Sequence, residues 1–236
     1  HTTTHGAFGC IGTGVGATDM ATILITGKLW FRVPEIVRIH LIGMPPKGVL
    51  PKDVILYILG RMKADGAVYK AIEYTGEYIE QLDVAGRMVL CNMAVEMGAK
   101  TAYMQPNEKV LSYVRTHHGD DFEVYETDSD FVYAETFTFD ISNLQPQVSV
   151  PSSVDNTAAV EEAGRVRIDQ AFVGACTGGR LEDIAEAVRI LEGKTIAPWV
   201  RMIVIPASEK ILETCVENGY LAALLKAGVT ISAPGC

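Results

Sequence analysis

The amino-acid sequence predicts an α/β fold built of layered α/β/α domains whose sheets are largely parallel. Short apolar or alternating segments of strand length recur along the 236 residues, and amphipathic segments of helix length lie between them. Turns rich in glycine, proline and asparagine mark most of the junctions. Strands that alternate with helices imply crossover connections, and such connections give parallel sheets covered by helices.

The first half of the chain begins with a glycine-rich loop, from Gly6 to Gly16, that leads into a predicted helix. Residues 35–42 alternate between apolar and polar side chains, as a strand with one buried face does. Pro51 opens a helix at its first position, and Gly98 closes another with a left-handed cap. The sequence of this half predicts helices at 17–26, 51–62, 77–82, 87–97 and 108–116, and strands at 35–42, 68–74 and 101–104.

Residues 119–165 differ from the rest of the chain. An acidic segment precedes a β-like run at 133–141, and a stretch rich in proline, serine and asparagine then gives the best candidate for a linker. The alternation then resumes, with strands at 166–173, 200–205 and 229–232 and helices at 181–191, 208–217 and 220–227. We therefore predict the end of a first α/β domain at 1–32, a second α/β domain at 33–143 and the start of a third at 144–236.

Composition and charge restrict the classes of function. Twenty basic and 29 acidic residues give a formal net charge of −9, which argues against a nucleic-acid partner. No apolar run reaches the roughly 18 residues that a membrane span requires, and no signal peptide is evident. Five scattered cysteines fit reduced thiols in the cytoplasm, metal ligands or a catalytic group better than a disulfide framework. The chain starts with histidine and ends with cysteine directly after a Pro-Gly turn, so we expect a piece of a longer protein.

Cys176 and Cys236 are the strongest candidates for chemistry. Each follows a predicted strand through a turn that contains glycine, at the carboxyl edge where open α/β sheets bind ligands. Cysteines ordinarily pack as small hydrophobic residues, as we expect of Cys10, Cys91 and Cys215. A nucleophilic cysteine is a further alternative, although no histidine lies nearby in the sequence. Soft thiolates at loop tips suit zinc or an iron–sulfur cluster.

Asn92 and Glu96 are four residues apart in a predicted helix and would therefore share one face. That helix is otherwise apolar on most sides, and a carboxylate embedded in such a surface is costly unless it is paired or binds a cation. This argument favours a buried, functional Glu96, and the alternative is that Glu96 lies on the solvent-facing side of the helix.

Residues 12–17 match the loose dinucleotide pattern G-x-G-x-x-[GA]. No predicted strand precedes them, so we expect these glycines to allow tight packing.

Five segments carry longer motifs. In chain order they are residues 1–9, 72–77, 86–99, 174–183 and 233–236. The first segment resembles an Asp-Ser-His-Thr loop without its first two residues, and the last resembles the start of Pro-Gly-Cys-x-x-Cys. Together the segments resemble the aconitase superfamily, and most closely the large subunits of 3-isopropylmalate dehydratase and its homoaconitase relatives. The resemblance covers almost the whole chain.

The resemblance implies a [4Fe–4S] cluster held by three cysteines, of which Cys176 and Cys236 are present and the third is expected beyond residue 236. Its open iron acts as a Lewis acid on the substrate. The resemblance also implies that Glu96 is the carboxylate near the departing hydroxyl, that Asn92 positions it, and that His1 assists departure of the hydroxyl. Gly178-Gly179 stands where many relatives have Asn-Gly, a departure that bears on hydrogen bonds beside the cluster.

The implied function is that of a hydro-lyase large subunit, paired with a small subunit, that interconverts 2-isopropylmalate and 3-isopropylmalate in leucine biosynthesis. One alternative is a homoaconitase or aconitase-type hydratase that acts on a related tricarboxylic acid. Others are a regulator without a cluster that binds RNA or a metal, and a dinucleotide oxidoreductase that rests on residues 12–17. We expect the 236 residues alone to be catalytically silent and to bind a cluster poorly.

Overall fold

The computed structural model describes residues 2–235, so His1 and Cys236 lie outside the described residues. The chain divides into two compact units, His1–Ala163 and Gly164–Cys236. Each unit contains a parallel sheet with helices between its strands, which confirms the predicted α/β fold class.

The first unit begins with a 3-10 helix at Thr2–Phe8, where the sequence predicted a loop from residue 6 onward. A second 3-10 helix covers Met93–Met97. The helices of this unit are α1 (Ala17–Thr26), α2 (Pro51–Met62), α3 (Glu77–Gln81), α4 (Val84–Asn92) and α5 (Glu108–His118). Its strands are β1 (Ile36–Ile42), β2 (Ala71–Thr75), β3 (Thr101–Tyr103), β4 (Glu135–Asp140), β5 (Gln147–Ser149) and β6 (Thr157–Ala159).

The main sheet of the first unit has four parallel strands in the order β3-β2-β1-β4. Val37 is in register with Ile72, and Ile39 with Tyr74, so the apolar side chains of the two central strands share one face of the sheet. These side chains join buried residues of α2 and α4 in a single core. Because side chains alternate between the two faces of a strand, the other face carries the polar residues of β1 and β2.

The segment 144–163 belongs to the first unit, whereas the predicted domain boundary lies near residue 144. β5 and β6 form an antiparallel pair that packs against α2. The N–H of Gln147 donates a hydrogen bond to Asp53 Oδ1 over 2.7 Å, and Gly60 of α2 lies so close to Thr157 that a Cβ would not fit. The segment that resembled a linker is therefore folded onto α2. The assignment of three domains stays a prediction.

The second unit contains a three-stranded parallel sheet in the order β7-β8-β9. Its elements are β7 (Gln170–Gly174), α6 (Leu181–Leu191), β8 (Arg201–Ile205), α7 (Glu209–Glu217), α8 (Tyr220–Lys226) and β9 (Thr230–Ile231). A small core closes around Ile184, Val204, Cys215 and Leu224. Because the strands are parallel, the chain leaves β7 and β9 at the same edge, about 10 Å apart with β8 between them.

α1 contributes no buried side chain to the first unit. Leu24 and Ile25 are 79% and 84% exposed, and Trp30 just after the helix is 82% exposed. In the part of the chain that the structure describes, no helix combines the length and the apolar character needed to cross a membrane.

Gly6 lets the first 3-10 helix approach β3 closely. A Cβ at this position would overlap the carbonyl of Ala102, and the Gly6 carbonyl accepts a hydrogen bond from the N–H of Met104 over 3.0 Å. We expect Gly6→Ala to lower the free energy of unfolding by about 1–3 kcal/mol, because the backbone must move apart. Gly14→Ala is the matched control, since its Cβ would lie 3.7 Å from the nearest atom. Urea denaturation that finds equal stabilities for the two variants would contradict this packing argument.

Candidate functional site

Asn92 lies at the last position of α4 and is only 1% exposed. Its side-chain Nδ2 donates a hydrogen bond to Thr4 Oγ1 over 2.8 Å. Its main-chain carbonyl accepts a hydrogen bond from Thr3 Oγ1 over 3.2 Å. The 3-10 helix that starts one residue after His1 is therefore fixed to the end of α4. His1 itself lies outside the described residues.

Glu96 lies in the second 3-10 helix and is partly exposed, whereas the sequence favoured burial. Residues 87–97 are helical as predicted, but the α-helix extends only from Val84 to Asn92 and is followed directly by the 3-10 helix. Asp83 caps its start by accepting a hydrogen bond from the N–H of Gly86 over 2.7 Å. In a 3-10 helix residues three apart eclipse each other, so a spacing of four no longer places two side chains on one face.

The glycine-rich loop is a packing element. His5 Nδ1 lies 2.8 Å from the carbonyl oxygen of Thr2 and must carry the proton, since a carbonyl can only accept. Gly12 lies against Thr2 and His5, and its own carbonyl accepts a hydrogen bond from Thr101 Oγ1 over 2.9 Å. Within residues 2–16 no strand precedes α1. These contacts support the packing role predicted for the glycines and give no support to a dinucleotide site.

A buried carboxylate that the sequence did not single out lies on the polar face of the main sheet. Glu73 is 4% exposed and accepts hydrogen bonds from Thr127 Oγ1 over 2.8 Å and Tyr133 Oη over 3.0 Å. The Arg38 guanidinium lies 4.8 Å from the centre of the Tyr133 ring. Burial, together with Glu73, raises the pKa of Tyr133. Because Thr127 comes from the acidic segment and Tyr133 from the start of the β-like run, both more than 50 residues after Glu73, no local pattern could reveal this cluster.

Cys176 lies in the loop between β7 and α6, in the turn that the sequence predicted, and is partly buried. Ala175 adopts a left-handed conformation with φ of 61°. Its N–H donates to the carbonyl of Ile205 over 3.0 Å, and its carbonyl accepts from the N–H of Gly179 over 2.9 Å. Gly179 lies so close to the carbonyl of Ile205 that a Cβ would not fit. The loop is therefore a tight turn of small residues at the carboxyl end of β8.

The same edge of the sheet receives the chain that leaves β9. The N–H of Ser232 donates to the carbonyl of Val204 over 3.0 Å, so the chain still follows β8 after β9 ends. Cys236 lies four residues further on, outside the described residues. Among residues 2–235 no three histidine, cysteine, aspartate or glutamate side chains lie close enough together to hold a metal ion. At this edge the described chain presents the thiol of Cys176.

The remaining cysteines differ in exposure. Cys91 and Cys215 are fully buried, as predicted, and burial raises the pKa of both thiols. Cys10 is exposed, so the prediction that it packs is wrong.

We expect Cys10 to react with a disulfide reagent at pH 8 within minutes, because its thiol is exposed and the thiolate is the nucleophile. We expect Cys91 to react only after unfolding, because its thiol is buried. Peptide mapping of the labelled native protein checks this, and rapid labelling of Cys91 would contradict the burial.

A family model described as the aconitase family (aconitate hydratase) matches residues 1–166 and 160–236. A probable methanogen homoaconitase large subunit from Methanothermobacter thermautotrophicus is 48% identical over all 236 residues, which cover 55% of its length. The 3-isopropylmalate dehydratase large subunit 1 of Methanopyrus kandleri is also 48% identical, with 56% of its length covered. The 3-isopropylmalate dehydratase large subunit of Caldanaerobacter subterraneus is 44% identical, again with 56% covered.

The chain thus spans about half the length of the curated relatives that it matches. The matches to the family model together include both compact units and the loop that carries Cys176. This agrees with the resemblance that the motifs indicated. The chain belongs to the aconitase family.

Proposed function

We propose that this chain is part of the large subunit of a hydro-lyase that interconverts 2-isopropylmalate and 3-isopropylmalate through dehydration and rehydration. The observation that carries the proposal is the position of Cys176, on a turn of small residues at the carboxyl edge of a parallel sheet. The similarity to dehydratase large subunits along the entire chain supports the same function.

Members of the aconitase family generally bind a [4Fe–4S] cluster. The loop around Cys176 fits such a group, because a soft thiolate is the ligand that iron–sulfur clusters take and because its neighbours are glycines, alanine and threonine. Cys176 and Cys236 would hold the cluster together with a third cysteine. When it is bound, the cluster supplies a Lewis acid for the hydroxyl and carboxylate of the substrate.

The residues of the first unit would supply the proton transfer. Glu96 is a partly exposed carboxylate and can take up or release a proton at its Oε atoms, as removal and return of a hydroxyl require. Asn92 is buried, its amide donates a hydrogen bond to Thr4, and it would orient the reacting groups. His1 directly precedes the 3-10 helix that holds Asn92, and we assign it the role of assisting departure of the hydroxyl.

The relatives are named as large subunits, and we infer that this chain also works with a small subunit. The names of the relatives indicate two candidate substrates. A homoaconitase large subunit and an isopropylmalate dehydratase large subunit are equally similar to this chain, at 48% identity. Homoaconitate hydration is therefore the second candidate function. The cytoplasmic location that the cysteine content favours stays a prediction.

A direct assay tests the proposal. The full-length large subunit, combined with its small subunit and reconstituted anaerobically with iron and sulfide, is expected to interconvert 2- and 3-isopropylmalate. Hydration of homoaconitate without any isopropylmalate turnover would move the assignment to the second candidate. Inactivity on both substrates, in a preparation that contains the cluster, would contradict the proposed function.

A further inference from the structure

We propose that Thr4 is a positioning residue that fixes the side-chain amide of Asn92 for the reaction. This inference rests on the proposed function and deepens it, because it adds a residue whose role is to orient another. Thr4 lies in the 3-10 helix Thr2–Phe8, 88 positions before Asn92 in the sequence, and the two side chains meet through a hydrogen bond of 2.8 Å.

The burial of Asn92 makes this contact consequential. The residue is only 1% exposed, so water can hardly replace an acceptor that its Nδ2 loses. A buried amide that lacks an acceptor rotates until it finds another, because an unsatisfied buried donor is costly. The Thr4 hydroxyl therefore holds Nδ2 in place, and its loss is expected to let the amide plane shift.

A neighbouring threonine serves the main chain instead. Thr3 Oγ1 donates to the carbonyl of Asn92 over 3.2 Å, and Thr3 is 2% exposed. This bond holds the 3-10 helix against the end of α4 but leaves the side-chain amide unaffected. Thr3 therefore contacts the main chain of Asn92, whereas Thr4 contacts the side-chain amide that would orient the reacting atoms.

Misalignment of a positioned group by about 1 Å can cost a factor of about 100 in rate. We therefore expect Thr4→Val to lower kcat about 10- to 100-fold and to change KM less than about 3-fold, because valine keeps the shape but removes the acceptor. Thr4→Ser keeps the hydroxyl and is expected to restore kcat to within about 3-fold of the wild-type value.

Thr101→Val is the matched control. Thr101 is 3% exposed, and its Oγ1 donates to the carbonyl of Gly12 in the same N-terminal loop. Neither that bond nor its second acceptor, the carbonyl of Ala102, involves Asn92. Thr101 is more buried than the partly exposed Thr4, so the control variant loses a hydroxyl with at least as much effect on packing, and we expect it to keep the wild-type kcat.

The deciding experiment is a double-mutant cycle in the full-length large subunit assembled with its small subunit. In an Asn92→Ala background, Thr4→Val is expected to lower kcat no further, because the group that it positions is gone. In protein labelled with ¹⁵N-asparagine, hydrogen exchange at the Asn92 side-chain amide is expected to speed up in Thr4→Val and not in Thr4→Ser.

Three results would overturn the inference: wild-type kcat in Thr4→Val, an equal loss of kcat in the Asn92→Ala background, or unchanged amide exchange in Thr4→Val. A wild-type assembly that contains the cluster but turns over neither isopropylmalate nor homoaconitate would instead overturn the proposed function.

Discussion

Replacing Cys176 by serine is expected to abolish binding of the [4Fe–4S] cluster and hydro-lyase turnover in the full-length large subunit. The thiolate is the ligand that such clusters take, and a serine hydroxyl is both harder and less easily deprotonated. Removing a residue that only hydrogen-bonds to a metal-ligating side chain lowers metal affinity or activity by up to about 100-fold. Removing the ligating thiol itself should therefore lower them at least as much. Iron and sulfide content, visible absorption and turnover after anaerobic reconstitution measure the effect.

Cys10→Ser is the matched control for this variant, because Cys10 is an exposed cysteine in the other compact unit. It should bind the cluster and turn over substrate as the wild type does. A Cys176→Ser subunit with the full content of iron and sulfide and wild-type turnover would show that this thiol is not a ligand.

The second large effect is expected for Glu96→Gln, which should lower kcat about 10²- to 10⁴-fold. Glutamine has nearly the same shape but cannot exchange a proton, and the site is partly exposed, so the fold should be unaffected. Steady-state kinetics on isopropylmalate, together with the melting temperature, measure both effects.

Glu108→Gln is the control for the change of carboxylate to amide. The side chain of Glu108 is 76% exposed and forms a surface ion pair with Arg115, so its replacement should leave kcat unchanged. A Glu96→Gln enzyme with more than about a tenth of the wild-type kcat would contradict a role of this carboxylate in proton transfer.

Local sequence patterns correctly predicted the bounds of two helices and one helix cap. α2 begins at Pro51 and ends at Met62, as predicted, because proline suits the first position of a helix. α6 also has its predicted bounds, Leu181–Leu191, since apolar residues follow a helical period there. The left-handed cap at Gly98 was predicted from the sequence as well, and its φ is 80°.

Elements that depend on distant contacts could not be predicted in the same way. The β-like run predicted at 133–141 contains β4, but its parallel pairing with β1, almost 100 residues earlier, could not be predicted from its acidic and proline-rich surroundings. The hairpin of β5 and β6 is likewise fixed by α2. The composition of a segment indicates whether it can form a loop. It does not indicate whether another strand, distant in the sequence, has a free edge with which the segment can pair.

The candidate site also contains features with local causes and features that depend on distant contacts. The turn that holds Cys176 follows from a local pattern of an apolar strand, glycines and an amphipathic helix. The contact between Thr4 and Asn92 joins residues far apart in the sequence, so no local pattern marks it. The sequence therefore indicated the turn that holds the thiol and the helix that carries Asn92 and Glu96, but not the change from α-helix to 3-10 helix between these two residues.

The most direct test of the central claim is the rate at which the full-length large subunit, assembled with its small subunit and carrying its cluster, interconverts 2- and 3-isopropylmalate. We predict reversible conversion through a dehydrated intermediate, and its loss together with the cluster in Cys176→Ser. Conversion at the wild-type rate by a Cys176→Ser enzyme that lacks iron would contradict the claim.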